Sequence, residues 1–174
     1  IYKRERAFVM PQLYTRVLEA VRAKRQQAAD TDATSRVESM IVSSSKLAQE
    51  LTQEIDDLNA DECQTILRTL HDLGDILWYE DHVNGAFEDV VVLDPTVVLD
   101  IVREVVNHNH QHAVGDAYNA LRDHGEMKHA LLITFPLWKA LSDKNEDLVL
   151  RFKRLLRYFN LAYPAGNDEM AVTS

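Results

Sequence analysis

The sequence predicts a mainly helical α+β fold with small β hairpins, formed by a winged-helix-like unit and a second, looser winged-helix-like unit. Apolar residues recur at helical spacing in at least five segments. Two segments rich in aromatic or β-branched residues flank a polar tip between residues 75 and 93, which predicts a hairpin. The order helix, strand, helix, helix, hairpin over residues 11–93 is that of a winged helix, and residues 95–173 repeat it loosely. We therefore predict two units, 1–93 and 94–174.

The first helix, a loop and a strand open the first unit. Pro11 suits the first turn of a helix, since proline lacks only an N–H that would have no partner there. The apolar stripe of this helix comprises Met10, Tyr14, Val17, Leu18 and Val21. The polar segment 26–36 predicts a loop, and residues 40–42 predict a short strand.

Two further helices and the hairpin follow. Ser44 or Ser45 is expected to cap a helix that buries Leu47, Leu51 and Ile55. Asp61 is expected to cap the next helix, and Gly74 is expected to end it in a left-handed conformation. The predicted buried face of that helix comprises Ile66, Leu67, Leu70 and Leu73. Residues 75–80 and 89–93 are the predicted hairpin strands.

The second unit begins at Asp94-Pro95, where Asp94 suits the N-cap and Pro95 the first helical position. Its first helix would bury Val98, Ile101, Val102 and Val105. Segments 116–122 and 135–141 predict short helices, with a possible strand at 125–127 between them. Asn145 is expected to cap a long last helix that buries Leu148, Val149, Phe152, Leu155, Leu156 and Phe159. Residues 161–163 and 170–172 would form a closing hairpin.

Composition and charge limit the classes of function that the chain can have. The net charge is −9, yet residues 1–27 carry a balance of +5, which leaves −14 for the remainder. Such an acidic chain is poorly suited to general binding of nucleic acid, whose affinity depends on neutralising phosphates. The single Cys63 fits a reducing compartment, and no apolar segment is long enough to cross a bilayer. We expect a cytoplasmic fragment of a longer protein.

No motif points to catalysis, a cofactor or a metal. The chain has no G-x-x-x-x-G-K-[ST] phosphate-binding loop and no G-x-S-x-G. The run Ser43-Ser44-Ser45 precedes a helix and is interpreted as capping. His108, His110 and His112 could surround a metal but are better interpreted as a solvated loop. We predict that the chain is not an enzyme.

Basic and aromatic side chains suggest a docking role. The last helix carries arginines at three-residue intervals opposite its apolar face, and the first helix is also basic. The candidate docking residues are Arg22, Lys24, Arg25, Tyr79, Arg151, Arg154 and Arg157. The last helix of a winged helix enters the DNA major groove, so nucleic-acid binding is the rival interpretation. The acidic pairs Glu88-Asp89 and Asp168-Glu169 would repel phosphate.

Aromatic and histidine side chains near the hairpin have expected structural roles. Trp78 and Tyr79 alternate along a predicted strand, so one should be buried and the other exposed or at a contact. Trp138 is expected in the core. His71 lies near the C-terminal end of its helix, where the helix dipole is expected to favour a charged imidazole. Its ring is also expected to pack over the hairpin.

The central segment resembles the COR domains that follow the GTPase unit of Roco proteins. The matching stretches are 70–79, with Leu-His-x-x-Gly and a following aromatic residue, and 92–98, with Leu-Asp-Pro. Three flanking elements are also similar to those of the family. The opening helix carries Pro11, Tyr14 and Leu18, and the last helix ends in Phe159-Asn160-Leu161. Between them, a glycine followed by a short helix comprises His124–Lys128 with Leu131, Leu132, Leu137 and Trp138. Val97 departs from the pattern, since an aromatic residue is frequent there.

The resemblance implies a regulatory module rather than an enzyme. The N-terminal half of a COR domain, the half that this chain resembles, packs against a Ras-like (Roc) GTPase domain in the same chain. GTP or GDP and Mg would then bind only to that neighbour, and a homodimer would need the full COR domain. A winged-helix spacer of a receptor-type ATPase or scaffold stays open as a further alternative, because composition and periodicity do not separate it from COR.

Overall fold

Helices make up most of the described chain in the computed structural model, which describes residues 11–79, 87, 89–106, 116–164 and 172–173. The elements in chain order are α1 Gln12–Ala29, α2 Ala33–Met40, β1 Ile41–Ser43, α3 Ser44–Glu54, α4 Ala60–Asp72, β2 Val90–Val92, α5 Pro95–Val106, α6 Asp116–His124, β3 Glu126–Met127, α7 His129–Leu132, α8 Pro136–Lys144, α9 Glu146–Tyr158 and β4 Val172–Thr173. The mainly helical α+β class is confirmed. The winged-helix comparison and the division into two units stay predictions.

The loop predicted for residues 26–36 is wrong, because two helices meet there. Helix α1 continues to Ala29, and α2 begins at Ala33. The Asp32 side chain caps α2 by accepting the N–H groups of Thr34 and Ser35 at 3.0 and 3.1 Å. The helix α2 then buries Val37 and Met40. Local capping and two apolar contacts thus outweigh the polar composition of the segment.

Two predicted N-caps are displaced by one or two residues. Ser43, and neither Ser44 nor Ser45, caps α3 by accepting the N–H of Lys46. Asn59, rather than Asp61, caps α4. The Asn59 side chain accepts the N–H of Glu62 at 2.9 Å, and the Glu62 carboxylate accepts the Asn59 N–H, which is a capping box. Asn145 caps α9 as predicted, accepting the N–H of Asp147 at 3.0 Å.

Gly74 ends α4 as predicted, with φ of +77°. Its N–H donates to the carbonyl of His71 at 2.9 Å, and the N–H of Asp75 donates to the carbonyl of Leu70 at 2.9 Å. This pair of bonds is a Schellman motif, which uses the carbonyls left without partners at a helix end. Leu73 precedes the turn and is 61% exposed, so its predicted burial is wrong. The helical stripe ends one turn earlier, at Leu70.

Short strands join distant parts of the chain. Strands β1 and β2 pair antiparallel, with Ile41 opposite Val92 and Ser43 opposite Val90. Leu77 forms a single antiparallel bridge with Val92 on the other side of β2. The predicted hairpin is thus reduced to one bridge among the described residues, and its tip, 80–86, lies outside them. Strand β4 pairs with β3. Most of the second strand of the predicted closing hairpin lies outside the described residues.

One hydrophobic core includes residues from both predicted units. Trp138 is fully buried, as predicted, and its Nε1 donates to the carbonyl of Ile101 at 3.0 Å. The Phe152 ring packs edge-on against Phe87 and Trp138, with centroid distances of 5.5 and 6.4 Å. Cys63 is completely buried, which exceeds the modest core share expected of it. Packing across the two halves therefore fixes the position of α9.

Polar contacts also hold α8 in place, those of Lys144 across the two halves and that of Glu104 within the second half. The Lys144 ammonium on α8 donates to the Ile41 carbonyl at 2.5 Å and to the Glu38 carbonyl, and its burial lowers its pKa. The half-buried Glu104 carboxylate accepts the Leu137 N–H at 3.0 Å, at the N-terminus of α8. Burial raises the pKa of Glu104, although this hydrogen bond acts in the opposite direction. In the described part of the chain, no helix is long and apolar enough to span a membrane.

Candidate docking surfaces

Most of the basic side chains predicted for docking on α1 are used within the chain. Lys24 forms an ion pair with Glu50 at 2.9 Å. The Arg25 guanidinium donates to the Leu93 carbonyl at 2.5 Å and to the Asp75 carbonyl. Arg25 thereby joins α1 to both ends of the chain segment that contains β2. Of the three α1 candidates only Arg22 is classed as exposed.

The α9 arginines differ in their surroundings. Arg151 is partly buried and contacts two carboxylates, those of Asp147, at 2.7 Å, and of Asp89. Arg154 and Arg157 are exposed, and no ion pair joins either one to another described side chain. The exposed positive charge of the predicted α9 face therefore lies in the C-terminal half of the helix.

Lys153 lies inside the protein rather than on the charged face of α9. Its side chain is buried, and its ammonium lies 3.1 Å from Nδ1 of His129 on α7. The three-residue spacing of the arginines places Lys153 on a different side of the helix. Lys153 therefore does not belong to the charged face that Arg151, Arg154 and Arg157 form.

Trp78 is the buried member of the pair, as the alternation predicted for one of the two residues, whereas Tyr79 is neither fully buried nor fully exposed. Trp78 is buried, and its N–H donates to Nδ1 of His71 at 3.2 Å. Tyr79 is partly buried, and its ring packs edge-on against His71, Phe87 and Phe159 at centroid distances of 5.2, 6.2 and 6.1 Å. Burial and, to a lesser degree, Tyr158 raise the pKa of Tyr79. The predicted packing of His71 is confirmed, with its Nδ1 as an acceptor.

Exposed apolar side chains cluster where α9 ends. Tyr158, Phe159, Leu161 and Tyr163 are 49%, 43%, 41% and 52% exposed. The predicted burial of Phe159 is wrong, because α9 ends at Tyr158 and Asn160 turns the chain with φ of +56°. We call these four side chains, with Arg154 and Arg157, the α9-end surface. The Phe159 ring also contacts Tyr158 at a centroid distance of 5.3 Å.

The helical period explains why the sequence did not reveal this surface. Phe159 follows Leu155 and Leu156 by four and three residues, so the period extends the buried stripe past the helix end. Leu161 and Tyr163 lie beyond the helix, where no periodic pattern applies. A possible signal was the density of aromatic residues next to two arginines.

Catalytic and metal sites find no support in the described part of the chain. No group of three or more His, Cys, Asp or Glu side chains there could hold a metal ion. Cys63 is buried, which raises the pKa of its thiol and disfavours the reactive thiolate. Ser43 is a helix cap. The predicted loop of His108, His110 and His112 lies outside the described residues.

Comparison with protein families identifies the chain. A family model described as "C-terminal of Roc, COR-A domain" matches residues 11–173. The chain belongs to the COR-A family. This assignment confirms the resemblance that the stretches 70–79 and 92–98 carry. COR-A domains are associated with a Roc GTPase domain in the same chain. A search of curated proteins and a search of solved structures found no significant match.

The two stretches that carry the COR resemblance are adjacent in the COR-A structure. Residues 70–79 include the Schellman turn at Gly74 and the Leu77 bridge, and residues 92–98 include the start of α5. Asp94 accepts the N–H of Thr96 at 3.0 Å and forms an ion pair with Arg36 of α2. Arg25 contacts both stretches through its two carbonyl partners. The residues that carry the resemblance therefore lie where α1, the end of α4 and the start of α5 meet.

Proposed function

We propose that this COR-A domain is a non-catalytic regulatory module that docks on an adjacent Roc GTPase domain and couples its nucleotide state to the rest of a multidomain signalling protein. The observation that carries the proposal is the family match over residues 11–173, which spans nearly the whole chain. GTP or GDP and Mg bind to the neighbour on this proposal. The cellular compartment is the cytoplasm, and a homodimer forms through the full COR domain.

The structure is compatible with a module that acts by contact. Its side chains form a continuous core, and the described residues offer no metal cluster and no exposed thiol. The α9-end surface holds four exposed large apolar side chains and two exposed arginines within ten residues of the sequence. Nucleic-acid binding is less well supported, since the chain carries a net charge of −9.

The coupling follows from linkage. If COR-A docks more tightly to one nucleotide state of the GTPase, docking must favour that state by the same factor. Coupling free energies of this kind are typically about 1–3 kcal/mol, which corresponds to about 5–150-fold in affinity. The module would thus alter the ratio of GTP to GDP affinity without contacting the nucleotide.

The test compares the isolated Roc domain of the parent protein with Roc joined to COR-A. We expect COR-A to change the ratio of GTP-analogue to GDP affinity by about fivefold or more. Titration with fluorescent nucleotides measures both affinities. Equal ratios in the two proteins, together with no protection of COR-A from hydrogen exchange by Roc, would show that the domain neither docks nor couples.

A further inference from the structure

The α9-end surface combines two kinds of exposed side chain, cationic and apolar, at the C-terminal end of α9. Arg154 and Tyr158 are four residues apart on α9, a spacing that places them on the same helix face. Phe159 contacts Tyr158, and Tyr79 contacts Phe159, so the rings form a connected group. Leu161 and Tyr163 extend this group along the chain that follows the helix.

The composition of the surface is that of an interaction site. Tyr and Arg are the residue types, with Trp, that contribute most to the affinity of protein interfaces. Isolated exposed apolar residues are common on monomers, but a contiguous group beside cations marks a contact site. Leu99 and Val106 of α5 are exposed to a similar degree, 54% and 44%, without a cluster of this kind.

Charge decides which partner fits. The chain as a whole carries −9, whereas Arg154 and Arg157 are exposed cations next to the rings at the end of α9, and no ion pair joins either one to another described side chain. A nucleic acid or an anionic membrane would be attracted to this spot but repelled by the rest of the chain. A protein face with local acidic residues would pair with the arginines while its apolar side chains cover the rings.

We propose that the α9-end surface docks a face of the Roc GTPase domain on which apolar side chains are bordered by Asp or Glu. The inference rests on the proposed function for the identity of the partner, and it adds the surface and the chemistry of the contact. Arg22, the exposed candidate on α1, lies outside this contact. The rings of Tyr158 and Tyr163 supply the apolar area, and Arg154 and Arg157 select the acidic border.

Photocrosslinking in the intact parent protein tests the contact directly. A benzophenone amino acid replaces Tyr158 or Tyr163, and mass spectrometry identifies the crosslinked peptide. The same replacement at Leu99, which is 54% exposed, is the matched control. We expect the first two positions, but not the third, to crosslink to Roc peptides that contain Asp or Glu. Crosslinks to a second copy, to lipid or to nucleic acid, or none to Roc, would overturn the proposal.

Charge reversal distinguishes this inference from the proposed function. In the protein that joins Roc to COR-A, Arg154→Glu with Arg157→Glu should return the nucleotide-affinity ratio to that of isolated Roc. Arg103→Glu, at an exposed arginine of α5, should leave the ratio unchanged. If COR-A shifts the ratio and the double variant keeps the shift, only the α9-end surface is wrong. If COR-A causes no shift and no crosslink forms, both proposals fail.

Discussion

Two phenylalanines of α9 and its C-cap provide a matched test of the structure. Phe152 is 1% exposed and packs against Phe87 and Trp138, whereas Phe159 is 43% exposed. Replacing a buried phenylalanine by alanine removes its burial and leaves a cavity, which costs about 3–5 kcal/mol. At Phe159 solvent can fill the vacated space, and only part of the ring leaves an apolar environment. Phe159→Ala should therefore cost about 1 kcal/mol.

The assay is urea unfolding of each variant, followed by the fluorescence of Trp78 and Trp138, both of which are buried. Phe152→Ala should lower the free energy of unfolding by at least about 2 kcal/mol more than Phe159→Ala. The effect on Roc docking should not follow the effect on stability, since Phe159→Ala should weaken docking while the protein stays folded. Equal losses of stability would refute the structural account and restore the sequence expectation that Phe159 is buried.

Three further predictions concern helix ends and internal polar contacts. Burial raises the pKa of Glu104, so its contribution to stability is present below the unfolded pKa and is lost as the pH rises through the folded pKa. The variant Glu104→Gln does not ionise and lacks this loss. Urea titrations should therefore show the variant gaining stability relative to wild type as the pH is raised from acidic to neutral. Arg25→Met loses two bonds to carbonyls and should cost about 2–4 kcal/mol in the same assay, whereas Arg22→Met should cost nothing measurable. A Cβ added at Gly74 would meet no atom within 4 Å. In thermal unfolding, Gly74→Ala should therefore show only the cost of placing alanine in a left-handed backbone conformation, about 1–2 kcal/mol. A larger loss would indicate a clash.

Local signals in the sequence were sufficient for three of the helix ends. Gly74, Pro95 and Asn145 act through backbone geometry or a nearby N–H, so a few residues determine the result. The same reasoning does not predict α2, although Asp32 precedes it as a cap, because the polar composition of segment 26–36 is typical of a loop. The short α7 was also missed, since its four residues, His129–Leu132, are too few for a period to appear.

Long-range partners explain the errors at the candidate site. Arg25 binds carbonyls that lie 50 and 68 residues further along the chain, and nothing near Arg25 in the sequence indicates them. Lys24 and Arg151 likewise find acidic partners in other elements. A basic stripe therefore predicts charge, but only the fold decides which cations remain available to a partner.

Lys144 has a consequence for how this domain can be divided. Strand β1 pairs only with β2 among the described residues, and the Lys144 ammonium occupies the Ile41 carbonyl on its other side. A fragment that ended at Leu93 would lose this lysine and the helix α8 that covers α2. Its open strand edge could then pair with other chains, as unprotected edges do in aggregation. Separating the two halves would thus expose a strand edge that the intact domain covers, and that edge is a template for self-association.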